Sequence, residues 1–69
     1  MSNDRDRFDN RADDFTVGDR VELHPGTDLA ARGARYGEVV RISRGVVAVR
    51  VDKLPSRRFL LSPDRLAKL

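Results

Sequence analysis

The sequence predicts an all-β protein, a small antiparallel barrel of about five short strands. Three observations carry that expectation. Residues 46–52 read Val-Val-Ala-Val-Arg-Val-Asp, so Val47, Val49 and Val51 share one face while Val46, Ala48, Arg50 and Asp52 share the other. A period of two in β-branched residues marks a half-buried strand. A second such run, 37–42, precedes it across Ser43-Arg44-Gly45, and three turn residues with a glycine suit a hairpin with a bulge. Finally, 69 residues allow one domain at most. A chain of that size buries only about 60% of its unfolded surface, which favours short elements wrapped around a small core.

Taken in order, residues 1–14 are dense in Asp, Asn and Arg, with Phe8 the sole aromatic. So polar a stretch offers little apolar surface to offset its ordering entropy, and it is expected to be a disordered tail in front of a domain spanning 15–69. Val17-Gly18-Asp19 forms a turn into a strand, Arg20-Val21-Glu22-Leu23-His24, with Val21 and Leu23 inward and Pro25-Gly26 ending it. A long loop, 27–36, follows, with room for one helical turn over 27–31. In the hairpin, Val40 and Ile42 alternate with Val39 and Arg41, which leaves Leu29, Val39, Val46 and Leu60 as candidates for exposed apolar positions. After a turn at 53–56, residues 57–61 form a further strand with Phe59 and Leu61 inward. Ser62-Pro63-Asp64 starts a single helical turn, serine as cap and proline in the first helical position. Leu66 and Leu69 then close the barrel.

Order and spacing also carry a resemblance. Val17-Gly18-Asp19-Arg20-Val21, then Gly37-Glu38-Val39-Val40-Arg41-Ile42, then Val47-Ala48-Val49-Arg50-Val51 resembles the KOW motif, a segment of SH3-like barrels in ribosomal proteins and transcription factors. The segment Arg58-Phe59-Leu60-Leu61-Ser62-Pro63-Asp64-Arg65-Leu66 is similar to the closing strand and turn of many SH3-like barrels, one of photosystem I among them. The resemblance implies an SH3-like barrel over residues 15–69. It also implies that the loop before the second strand, carrying Arg32-Gly33 and Arg35-Tyr36-Gly37, meets RNA or a protein partner. The chain departs from the family pattern in a longer loop after Leu23 and in Glu38, where the family is often basic.

Charge is divided unevenly. Residues 1–14 carry three arginines against five aspartates, and residues 15–69 carry eleven basic against six acidic side chains, a net of +5 within an overall +3. Twelve of the fourteen basic residues are arginine, which suits phosphate and carboxylate recognition and equally reflects what a GC-rich genome encodes.

Chemistry at a catalytic centre is not expected. The one histidine, His24, sits at a strand end as a solvated residue, and a metal site needs several His, Cys or clustered carboxylates. Ser43, Ser56 and Ser62 lie in turns with no base beside them. The glycines at 33 and 37 precede a strand rather than the helix of a phosphate-cradling loop. No cofactor and no small-molecule substrate are expected. With no cysteine, no long apolar run and a charged N-terminus, the chain reads as cytoplasmic, without a membrane partner. Proline-rich ligands and methylated side chains call for aromatic grooves or cages that one tyrosine and no tryptophan do not supply.

What remains is a non-catalytic binding module, expected to bind nucleic acid through an arginine-rich loop and strand face and, as the alternative, to dock on a larger protein assembly. For nucleic acid, RNA or DNA, the candidate residues are Arg32, Arg35 and Tyr36 in the loop, Arg41 and Arg50 on the strands, Arg44 at the hairpin tip, and Arg57 and Arg58 near the next turn. Tyr36 would stack on a base, and the arginines would hold phosphates with strongly salt-dependent affinity. Cross-strand pairing with Glu22, Glu38 and Asp52 would instead neutralise those arginines. An apolar patch rimmed by arginine would then suit docking on a larger protein assembly. What surrounds each guanidinium decides between the two.

Overall fold

The alternating valines do form the centre of a sheet. The computed structural model describes residues 7–69. Its strands are β1 (Arg20–Leu23), β2 (Tyr36–Ser43), β3 (Val46–Val51), β4 (Phe59–Leu61) and β5 (Leu66–Lys68), with one four-residue helical turn, α1 (Asp28–Ala31), between β1 and β2. All neighbouring strands are antiparallel, and their order across the single five-stranded sheet is β4-β3-β2-β1-β5. Val21, Leu23, Val39, Val47, Val49, Val51 and Leu66 are fully buried on its inner face. Phe59 and Leu61 of β4 and Leu66 of β5 pack into that same cluster, so both ends of the strand order share one core. Burying each such side chain is worth about 1.5–3 kcal/mol, the main favourable term in so small a domain.

Three local devices set which side chains face out. The first is a β-bulge in β2. Val39 pairs with Val49 and Arg41 with Ala48, leaving Val40 unmatched. The extra residue shifts the alternation, so Val39 is buried and Ile42 also packs against the core, while Arg41 faces out. Strict alternation places Val39 on the outer face with Arg41; the bulge reverses that. Leu29, expected among the exposed apolar residues, is also buried, held there by α1.

The second device is the hairpin turn. It has two central residues, Arg44 and Gly45, with φ of +53° and +77°, and Ser43 pairs directly with Val46. Two left-handed residues in succession match the right-handed twist of the strands, which a turn of ordinary hand would splay. The expected three-residue turn with a bulge is therefore a two-residue turn, with the bulge four residues upstream at Val40. The third device is Gly37, opposite Val51. A Cβ there would lie 2.7 Å from the Arg50 carbonyl oxygen and 2.7 Å from Val49 Cγ1. Only glycine lets β2 and β3 approach so closely.

The connections are local in origin. Thr27 caps α1, its hydroxyl accepting the Ala30 N–H at 3.2 Å. A 3-10 turn at Pro63–Arg65 follows Ser62, with proline at its start. The Ser62 side chain makes no cap there; instead its carbonyl accepts the Arg65 N–H at 2.9 Å. β5 comes next, where sequence suggested only two closing leucines. Leu66 is buried as expected, but Leu69 is 66% exposed, its backbone N–H bonding the Arg20 carbonyl at 3.0 Å.

Residues 7–14 differ most from expectation. They lie against the sheet instead of forming part of a disordered tail, and residues 1–6 of that tail lie outside the described residues. Phe8 is only 4% exposed, its ring edge-on to His24 with centroids 4.8 Å apart. Asn10 donates to the Leu66 carbonyl at 2.8 Å, and Arg7 ion-pairs with Glu22. One aromatic anchor and a few polar contacts of high sequence separation suffice where composition alone argues against order.

Candidate binding surface

The charged side chains of β1, β2 and β3 stand on the outer face of the sheet, and strand register decides which of them meet. Arg20, Glu38 and Arg50 stand in one row across β1, β2 and β3. Arg50 reaches Glu38 at 3.3 Å, and Arg20 grips Asp52 with two bonds, 2.9 and 2.5 Å long. That two-pronged contact holds the Asp52 carboxyl below its ordinary pKa and raises Arg20, the hydrogen bonds between them being the main cause. Nearer the N-terminal end of β2, Glu22 is buried and receives both Arg7 and, at 3.6 Å, Arg35. Arg32, at the end of α1, pairs with Asp28 at 3.3 Å.

The eight expected nucleic-acid contacts therefore separate into two groups. Arg32, Arg35 and Arg50 each have a carboxylate partner, and Tyr36 is 43% exposed with the Arg35 guanidinium 6.0 Å from its ring centre. Arg41, Arg44 and Arg58 are exposed and, among the described residues, meet no carboxylate. Arg57 lies over the Phe59 ring at 5.6 Å. The eight residues of β2 put roughly 23 Å between Tyr36 and Ser43, at about 3.3 Å per residue, with Arg35 and Arg44 just beyond its two ends. The loop and the hairpin tip are thus separate places, and eight residues read as one surface are not one.

At the hairpin end the outer face is apolar. Arg41, Ser43, Arg44, Val46, Ala48 and Leu60 line a shallow groove of about 320 Å³. Register explains its shape: Ala48 of β3 stands between Arg41 of β2 and Leu60 of β4, so the smallest side chain forms the floor and two long ones the walls. Leu60 is 77% exposed. Sequence pointed to Val46 and Leu60 as exposed apolar residues; the part played by Ala48 depends on the three-strand register, for which the chain carries no local signal.

A second hollow, about 310 Å³, lies between Phe8, Asp9, His24 and Asp64. Here His24 is half-buried rather than solvated, and its Nδ1 accepts the Gly26 N–H at 2.9 Å. Among the described residues no three His, Cys, Asp or Glu side chains gather to hold a metal ion, and no helix is long and apolar enough to cross a membrane.

Comparison with protein-family models, with curated proteins and with solved structures gives no match to this chain. The KOW resemblance accordingly rests on the residues that carry it.

Proposed function

We propose that this chain is a non-catalytic binding module that docks on a protein assembly through the outer face of β2, β3 and β4 at the hairpin end. One observation carries the reading: guanidiniums without an internal carboxylate border an apolar groove, whereas the arginines of the loop and the central row are already paired. An apolar, arginine-rich surface with few acidic groups has the composition of a protein interface core. The finer fold assignment, an SH3-like barrel, belongs to the same proposal and is supported by the shared core of the two terminal strands of the order.

Replacing Arg41 by Gln and Arg44 by Asn should abolish capture of the partner from a host extract, asparagine retaining the left-handed turn. Replacing Arg32 and Arg35 by Ala should leave capture unchanged. The reverse pattern would place the interface at the loop.

Nucleic acid is the second reading, favoured by the same observation that Arg41, Arg44 and Arg58 are free to meet phosphates. It requires binding of an oligonucleotide that weakens steeply with salt, each phosphate contact on a single strand adding about 0.7 to the log–log slope. Fluorescence anisotropy of labelled single-stranded RNA and DNA at two salt concentrations measures it.

A further inference from the structure

We propose that the groove over Ala48 receives an extended acidic segment of the partner, anchored by one apolar side chain. The inference rests on the protein-docking reading above and names what that partner presents. The recess is one side chain wide, because an alanine sits where β2 and β4 carry Arg41 and Leu60. Val46, two residues along β3 on the same face, closes one end. An aliphatic or phenyl group seated there would cover Leu60, whose exposure leaves a large apolar side chain in water.

Charge selects the rest of the segment. Asp28, Glu22, Glu38 and Asp52 are each committed to arginines elsewhere on the molecule. Arg41 and Arg44 line the groove without such a partner among the described residues. Carboxylates flanking the apolar anchor would complete them, and a guanidinium at the rim of an apolar recess is less screened than one in open water. A basic segment would meet like charge. The contact is small, so it belongs to the weak, transient class of interfaces.

The test is a titration of the ¹⁵N-labelled full chain with three probes: the peptide Glu-Glu-Leu-Glu-Glu, its Leu→Ser counterpart, and a ten-nucleotide oligouridylate. The leucine peptide should shift the amides of residues 41–48 and of Leu60, and the serine peptide should bind about tenfold more weakly. Leu60→Ser, a change at an exposed position, and the Arg41→Gln/Arg44→Asn pair should each weaken the leucine peptide by a similar factor. Equal binding of the two peptides would overturn the apolar anchor while leaving protein docking in place. Oligouridylate shifts at these residues with neither peptide binding would overturn both. Silence from all three probes would overturn the groove as a site.

Discussion

Gly37, Asp52 and Glu22 show how single residues set this surface. Gly37→Ala forces a Cβ against the β3 backbone, and the strands must part or shift. We expect a loss of about 1–3 kcal/mol, read as a lower denaturant midpoint with unchanged slope. Asp52 has a pKa lowered by Arg20, so it stabilises the fold above the ordinary carboxylate range. That contribution is lost as pH falls from about 4 through the depressed folded value. Asp52→Asn should therefore flatten the acid limb of a stability-against-pH curve and change little near neutrality beyond a constant offset. An acid limb identical to that of the unaltered protein would show the pair to be inert. Sequence identified Glu22, Glu38 and Asp52 as possible cross-strand partners for arginine. It left the pairs themselves unassigned, because which arginine meets which carboxylate is fixed by cross-strand register and not by spacing along the chain.

At the scale of elements, the strands with the clearest period were the most legible. β1, β3 and the inward pair of β4 follow directly from alternating Val, Leu and Phe, α1 falls in the long loop that had room for a helical turn, and the Pro63–Arg65 turn falls where proline places it. The β2 bulge defeats alternation, since one unmatched residue turns every later side chain over. β5 has three residues, too few for a period to show. The segment 7–14 was the largest departure, because a single buried aromatic does not register in composition. Phe8→Ala should destabilise the domain by about 1–3 kcal/mol, somewhat less than a central core truncation, since the ring packs at the periphery. Deleting residues 1–14 should likewise lower the thermal midpoint by several degrees. An unchanged midpoint in both would show that the segment adds nothing to the fold.

For the molecule as a whole, the sheet's outer face falls into three parts. Toward the start of β5 and the end of β1 it is covered by the chain's own N-terminal segment, through Arg7, Phe8 and Asn10. Along the middle row its charges cancel in pairs. Toward β4 and the hairpin tip it is open, apolar and cationic. A net positive charge over 15–69 suggested a broad basic surface, and the loop arginines were the first candidates. The fold commits carboxylates to the loop arginines and to the middle row, and leaves Arg41 and Arg44 unmatched at the opposite end of β2, while Arg58 stands just before β4. Sequence could name the residues on both surfaces, but only the folded register shows which arginines remain unmatched.

The most direct measurement of docking at the hairpin end is photo-crosslinking in the host, with a benzophenone side chain placed at position 60 of the full chain and, separately, at position 32. Both are exposed, and they lie on the two surfaces that compete for the role. Docking through the hairpin end predicts an adduct from position 60 that protease destroys and nuclease does not, with little from position 32. A nuclease-sensitive adduct from position 60, or an adduct from position 32 alone, would contradict it.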